Sequence, residues 1–145
     1  GQIAAAVSIP LLHIADAAAA AVTAAGCRTA GLLDTRFTMA EPFYRQRLER
    51  AGLEVLTPAA ADQAELDRII YDELCRGQLA EASRARYLRV IESLARQGAG
   101  GVILGCTEIG LLVSPQPTAI PLFDTTSIHA QRAVDWALSD STQAD

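Results

Sequence analysis

The segment 101–112 (GVILGCTEIGLL) constrains the fold of this chain more than any other. Its first four residues have the character of a buried strand, and the glycine that follows them leads into Cys106, Thr107 and Glu108, where a helix can begin. A buried strand that turns directly into a helix is typical of α/β proteins, which bind ligands at the carboxyl ends of their strands. The sequence therefore predicts that the Cys106 thiol lies at a ligand-binding edge of a sheet.

A cysteine at that place is a candidate nucleophile or proton-transfer base. The positive end of a helix dipole favours the thiolate form of a cysteine at that place. The alternative is a small residue buried at a tight turn, as cysteines often are. Thr107 can cap the helix or bind a ligand carboxylate. Glu108 can complement the helix dipole, or orient the thiol or a substrate ammonium.

Short apolar segments alternate with segments of helical periodicity along the chain. Strands are predicted at 9–14, 29–33, 53–56, 101–104 and 120–123. Helices are predicted from an N-cap at Asp16 to Gly26, at 39–51 and 63–76, from an N-cap at Ser83 to Gln97, and at 126–138, with loops at 58–62 and 114–118. This alternation predicts an α/β domain with a mainly parallel sheet and helices on both faces.

Composition and charge exclude several kinds of function. The 145 residues fit one domain, and 12 basic against 17 acidic residues give a net charge of −5 without a basic run, so nucleic acid and membranes are not expected partners. Residues 1–25 are too polar for a membrane span and lack the basic start of a signal peptide. Three cysteines without a CxxC pair predict neither a disulfide framework nor a metal site, and fit a reducing, cytoplasmic compartment.

The segment 34–38 (DTRFT) is a second candidate for ligand binding, because it also follows a predicted strand and precedes a helix. The hydroxyls of Thr35 and Thr38 and the nearby backbone N–H groups can hold a carboxylate. Plain helix capping by either threonine is the alternative, and it is the more frequent role. His129 is a weaker candidate for the same cleft. The other histidine and the remaining cysteines are expected to be packing residues: His13, Cys27 and Cys75.

Four segments carry a specific combination of motifs. They are 105–109 (GCTEI), 32–44 (LLDTRFTMAEPFY), 69–77 (IIYDELCRG) followed by Ser83 and Arg84, and 121–130 (PLFDTTSIHA). Together they resemble the aspartate/glutamate racemase family: its second catalytic-cysteine motif, its carboxylate-binding loop, its mid-domain helix pair and its C-terminal return strand and helix. The resemblance extends to about Leu138.

The resemblance implies an amino-acid racemase that uses neither pyridoxal phosphate nor a metal. In this family two cysteines face the substrate Cα from opposite sides, and one removes a proton as thiolate while the other delivers one as thiol. Carried over by position, Cys106 is one of these catalytic groups, Thr107, Thr35 and Thr38 contact the α-carboxylate, and Glu108 belongs to the substrate-binding set. The expected substrate is an acidic amino acid, and the full-length protein is expected to be a homodimer.

The resemblance also implies that only part of the family's fold is present. That fold has two pseudo-symmetric α/β domains with the site between them. Residues 1–138 resemble the second domain with the C-terminal return segment, and the N-terminal domain with the other catalytic residue is expected to be missing upstream of Gly1. Neither Cys27 nor Cys75 occupies the position of that residue. Residues 139–145 are expected to fray.

Two positions depart from the family pattern. Many relatives have glycine where this chain has Asp34, and a carboxylate there either weakens anion binding or faces away. Some relatives have a lysine for the distal carboxylate where this chain has Gln78, and Arg76 or Arg84 can substitute for it. Two alternatives to the racemase therefore stay open. One is a non-catalytic carboxylate-binding or dimerisation fragment, and the other is a related one-cysteine decarboxylase or isomerase.

Overall fold

A four-stranded parallel sheet lies at the centre of the computed structural model, which describes residues 2–113 and 118–139. Its strands are β1 (Thr29–Leu33), β2 (Glu54–Leu56), β3 (Gly101–Leu104) and β4 (Leu122–Asp124). Their order across the sheet is β2-β1-β3-β4, and all neighbours are parallel. Because parallel neighbours require crossover connections, helices connect consecutive strands.

Helices cover both faces of the sheet, as predicted. They are α1 (Gln2–Ala6), α2 (Ile14–Ala24), α3 (Arg36–Ala40), α4 (Pro42–Arg50), α5 (Ala60–Asp72), α6 (Glu81–Arg96), α7 (Thr107–Val113) and α8 (Thr125–Ser139), with a 3₁₀ turn at Leu74–Arg76. Leu32 and Ile103 pack on one face with side chains of α2 and α4, whereas Leu33 and Leu104 pack on the other face with side chains of α5, α6 and α7. Burial on both faces explains the continuous apolar runs of β1 and β3.

The strand predicted at 9–14 is wrong, because residues 9–13 form no strand. Ile9 is 72% exposed, so this segment lacks the burial that a central strand needs. The backbone of this segment also makes a hydrogen bond outside the sheet, because His129 of α8 donates from Nε2 to the Leu12 carbonyl at 3.1 Å. Pro10 has no N–H to give to a sheet ladder, which further disfavours pairing.

The N-cap predicted for α2 is also wrong. His13 is the cap, since its Nδ1 accepts a hydrogen bond from the Ala15 N–H at 3.1 Å. Asp16 lies in the first turn and pairs in a bidentate manner with Arg47 of α4, at 2.6 and 2.7 Å. Asp16, which the sequence predicts to be the N-cap, therefore forms an ion pair that joins α2 to α4.

The helix predicted at 39–51 is two helices, α3 and α4, which meet at Glu41. A proline disfavours the α conformation of the residue before it. Glu41 is accordingly extended, with ψ 143°, and Pro42 begins α4. Ser83 is not an N-cap, because α6 begins at Glu81. Its buried hydroxyl instead donates to the Glu73 carboxylate, which ties α6 to the end of α5.

The other boundaries differ by small amounts. Helix α5 begins at Ala60, inside the predicted loop at 58–62, and β4 begins at Leu122 instead of 120. Residues 114–117 of the second predicted loop lie outside the described residues, as do residues 140–145 of the predicted tail, whereas Ser139 ends α8. Within the described ranges, no helix combines the length and hydropathy needed to cross a membrane.

Candidate active site

The carboxyl ends of β1 and β3 lie side by side, because Leu33 pairs with Leu104 in the sheet. The Gly105 N–H donates a 2.8 Å hydrogen bond to the Leu33 carbonyl, so the pairing continues one residue beyond the strands. The end of β4 is held at the same edge, because the buried hydroxyl of Thr125, the residue after β4, donates to the Leu104 carbonyl at 2.8 Å. The segment 34–38 and the turn that carries the cysteine therefore meet at one edge of the sheet.

Cys106 is half-buried, and its thiol donates a hydrogen bond to the Glu108 carboxylate, with 2.9 Å between Sγ and Oε2. The Thr107 hydroxyl donates to the same oxygen at 2.5 Å. Burial raises the pKa of the Cys106 thiol to about 12, and the Glu108 carboxylate contributes because it stabilises the S–H form and repels the thiolate. The hydrogen bonds from Cys106 and Thr107 hold the pKa of Glu108 below its usual value.

The helix dipole, which favours the thiolate, is not the dominant influence on Cys106 at this turn. Helix α7 has only seven residues, and its first turn contains the Glu108 carboxylate that accepts the thiol proton in a hydrogen bond. Desolvation of the sulfur and this carboxylate outweigh the helix dipole. Cys106 rests as a neutral thiol, which is the form that delivers a proton.

Replacing Glu108 with glutamine is expected to lower the pKa of the Cys106 thiol. The amide keeps the side-chain size but removes the negative charge that disfavours the thiolate. Burial is the larger cause of the raised pKa and remains, so the pKa in E108Q stays above the ordinary thiol value. The pH dependence of iodoacetamide alkylation measures it, in a background where Cys27 and Cys75 are serine.

Glu92 provides the matched control for this experiment, because it is exposed on α6 and contacts no cysteine. E92Q removes one negative charge from the chain and is expected to leave the alkylation profile of Cys106 in place. A profile that is the same in E108Q and in the parent would contradict the electrostatic role of Glu108.

Thr35 caps α3, because its Oγ1 accepts from the Thr38 N–H at 3.4 Å. The two threonine hydroxyl oxygens are 3.1 Å apart. Capping is thus confirmed as one role of Thr35, and it uses only an acceptor lone pair of Oγ1. The loop is anchored to α5, since Asp67 accepts from the Arg36 N–H at 2.7 Å.

Asp34 lies directly against Gly105 in the cysteine turn. It is 7% exposed, and its Oδ1 accepts from the Thr35 N–H at 2.6 Å. A Cβ atom on residue 105 would lie 2.2 Å from Asp34 Oδ2, so the carboxyl group fills the space that Gly105 leaves. Burial raises the pKa of Asp34, although hydrogen bonds from Thr35 and Thr38 oppose the shift. The carboxyl does not face away from the site, because its charge also raises the pKa of Cys106.

The remaining reactive side chains lie away from this edge. Cys27 donates from Sγ to the Gly100 carbonyl at 3.2 Å, beside the amino end of β3, and Cys75 is exposed on the 3₁₀ turn. His129 contacts the N-terminal segment and not the cysteine. Within residues 2–113 and 118–139, no three histidine, cysteine, aspartate or glutamate side chains are arranged to hold a metal ion.

Arg84, a possible replacement for the lysine found in some relatives, is engaged elsewhere. Its Nε donates to the Leu112 carbonyl at 2.8 Å, and its guanidinium also pairs with Glu81. Arg84 thus holds the end of α7 in place.

Gln78, which stands at the lysine position, lines a polar concavity of about 470 Å³ between α5 and α6.

Comparison with known proteins decides the family. The model of the Asp/Glu/hydantoin racemase family matches residues 1–133. The chain belongs to this family. Both the resemblance identified in the sequence and the predicted α/β fold are thereby confirmed.

Solved structures of relatives superpose closely on the chain. A proposed Asp/Glu racemase from Yersinia pestis is 53% identical, with a TM-score of 0.88 over 92% of this chain and 59% of its own. An aspartate racemase homologue from Pyrococcus horikoshii OT3 is 34% identical, with a TM-score of 0.87 over 94% of this chain and 60% of its own. An aspartate racemase from Picrophilus torridus, at 21% identity and a TM-score of 0.61, shares the fold over 79% of this chain and 47% of its own.

The relatives differ in how much of their length this chain spans. It covers 59% and 60% of the Yersinia and Pyrococcus proteins. It covers 89% of an uncharacterized protein encoded in the pnlA 3′ region of Pectobacterium carotovorum subsp. carotovorum, which is 27% identical over 135 residues, or 92% of this chain.

Proposed function

We propose that this chain contributes one of the two acid–base groups of a cofactor-independent racemase that acts at the Cα of an acidic amino acid. The observation that carries the proposal is the Cys106 thiol, bonded to Glu108 at the carboxyl end of β3, in a chain of the Asp/Glu/hydantoin racemase family. The second acid–base group then comes from the part of the longer relatives that this chain does not span.

The reaction needs a proton removed from one face of Cα and a proton delivered to the other. In the direction that starts from the resting state, the second group takes the Cα proton and Cys106 delivers its S–H proton to the opposite face. Cys106 is left as thiolate, and in the reverse direction it removes the proton. Glu108 holds the S–H group in place at 2.9 Å and keeps it protonated until the carbanion forms.

The Cα proton of an amino acid is a very weak acid, so the negative charge of the transition state must be stabilised through the substrate carboxylate. The hydroxyls of Thr35 and Thr38 form a donor pair at the end of β1, and the hydroxyl of Thr107 lies beside the thiol. We assign these three hydroxyls to the α-carboxylate. The Glu108 carboxylate is the group on this chain that suits the substrate ammonium.

The family resemblance implies a mechanism without pyridoxal phosphate, and we assign proton transfer to the Cys106 thiol itself. We place the protein in the cytoplasm, where cysteines stay reduced.

Proton transfer in deuterium oxide tests the proposal. The full-length product of the gene is incubated separately with each enantiomer of aspartate and of glutamate. We expect the opposite enantiomer to appear with deuterium at Cα, because the thiol proton exchanges with solvent. The 145-residue chain alone is expected to interconvert the enantiomers little or not at all, since one group cannot act on both faces of Cα.

Two outcomes would replace the proposal with one of its alternatives. Loss of carbon dioxide from the substrate would identify a decarboxylase that uses the same cysteine. Binding of the dicarboxylate without any exchange at Cα would identify a non-catalytic carboxylate-binding module. Size measurement of the full-length product tests the proposed homodimer in the same preparation.

A further inference from the structure

The donors around Asp34 are the ones that the proposed function assigns to a substrate. The Thr35 N–H donates to Asp34 Oδ1 at 2.6 Å, and hydrogen bonds from the Thr38 and Thr35 side chains act on the same carboxyl group. If a substrate carboxylate binds to these threonines, two carboxyl groups share one set of donors. Two carboxylates in such an arrangement cannot both stay ionised without a cation between them.

Among the residues that the structure describes, no cation is one of the titratable groups that face Asp34. These groups are Tyr44 from α4, Tyr87 from α6 and Cys106 ahead of α7, and each of them is neutral when protonated. From α5, Asp67 reaches the same loop through the Arg36 N–H and brings a further negative charge. The described residues of this chain therefore offer Asp34 hydrogen-bond donors but no charge compensation.

The Tyr44 hydroxyl shows that this region holds an unused donor. Tyr44 is 6% exposed, and its hydroxyl oxygen has no hydrogen-bond partner among the residues that the structure describes. Burial and the charge of Asp34 raise the pKa of Tyr44, so the hydroxyl keeps its proton. A buried donor without a partner costs stability unless a bound molecule accepts from it.

We infer that Asp34 is a specificity-determining residue, and that the site binds a ligand carboxylate only when the Asp34 carboxyl is protonated. The inference rests on the proposed function, because it requires a carboxylate at Thr35 and Thr38. The protonated carboxyl donates to the ligand instead of repelling it. One proton is taken up from the buffer for each ligand bound.

Pairing of Asp34 with a substrate ammonium is the competing role, and the geometry disfavours it. An ammonium needs an ionised carboxylate with an open face. Asp34 has 7% of its surface exposed, its Oδ1 is occupied by the Thr35 N–H, and its Oδ2 lies against Gly105. The Glu108 carboxylate is only partly buried and is a better partner for that cation.

Calorimetric titration of the full-length gene product with succinate tests the inference. Succinate has no amino group and cannot be racemised, and both its carboxyls are ionised between about pH 6.5 and about pH 8.5. Above the pKa of Asp34, we expect the affinity to fall about tenfold per pH unit, with uptake of about one proton per ligand, measured in buffers of different ionisation enthalpy. In D34N the affinity is expected to be independent of pH. At the upper end of the range D34N is expected to bind at least about tenfold more tightly than the parent.

Four outcomes separate this inference from the proposed function. Equal pH dependence and equal proton uptake in the parent and D34N would overturn the inference alone, because the histidines are common to both. The parent binding succinate without pH dependence would do the same. Weaker binding of aspartate but not succinate by D34N would assign Asp34 to the ammonium. Absence of succinate binding in every variant would contradict the carboxylate site itself. D34G, which also removes the charge, replaces D34N if the amide variant does not fold.

Discussion

Replacing Cys106 with serine in the full-length gene product is expected to lower the rate of enantiomer interconversion at least about 100-fold. A serine hydroxyl has nearly the shape of the thiol and can still donate to Glu108, so the fold and the binding of substrate are retained. Its proton is far less acidic, and the resulting alkoxide is not accessible near neutral pH. The proton delivery that we assign to Cys106 is therefore lost while the rest of the site remains.

Cys75 provides the control for this variant, because it is a free cysteine that is exposed on the 3₁₀ turn away from the sheet edge. C75S is expected to keep the parent rate, and thermal unfolding is expected to occur at the same temperature in C106S, C75S and the parent. Chiral chromatography of aspartate measures the rate. Parent-like interconversion by C106S would show that Cys106 is a packing residue.

Deuterium incorporation provides a second test of the role that we assign to Cys106. When one of two acid–base groups is disabled, the other can still remove the Cα proton of one enantiomer and return a deuteron to the same face. C106S is therefore expected to show exchange, if any, with one enantiomer only and with retention of configuration. Equal exchange with both enantiomers would contradict an arrangement with one group on each face.

The strands that support the site could be predicted from the sequence because they are buried on both sides. The bounds of β1 and β3 are those predicted, and both read as short apolar runs between glycine and polar residues. The apolar residues at 9–14 form a similar short run in the sequence. They failed as a strand because the exposure of Ile9 and the capping role of His13 are set by the folded structure and cannot be read from the apolar residues themselves.

The positions of the candidate residues could be predicted from the sequence, but their electrostatics could not. The strand-to-helix turn was enough to place Cys106 and Glu108 at the sheet edge. The raised pKa of the Cys106 thiol could not be predicted from the sequence, because it depends on how deeply the sulfur is buried and on the 2.9 Å contact between Sγ and the Glu108 carboxylate. The contact of Asp34 with Gly105 was missed, although a glycine directly after β3, where Asp34 directly follows the neighbouring β1, was a usable signal for it.

That contact leads to the second large prediction, which is that Gly105→Ala destabilises the chain by about 1–3 kcal/mol. The backbone of Gly105 lies outside the left-handed region, so alanine is acceptable to the main chain. The added Cβ would lie 2.2 Å from Oδ2 and 2.9 Å from Cγ of Asp34. The carboxyl must leave its buried place, and it then loses the hydrogen bond from the Thr35 N–H.

A double-mutant cycle isolates the cause of this loss. In Asp34→Gly the side chain that meets the new methyl group is gone, so adding Gly105→Ala to that background is expected to cost little. The coupling free energy between the two positions is then about as large as the loss in the single variant. Urea unfolding of the four proteins measures it. A cost of Gly105→Ala that is the same with and without Asp34 would mean that the glycine is required by something other than the carboxyl group packed on it.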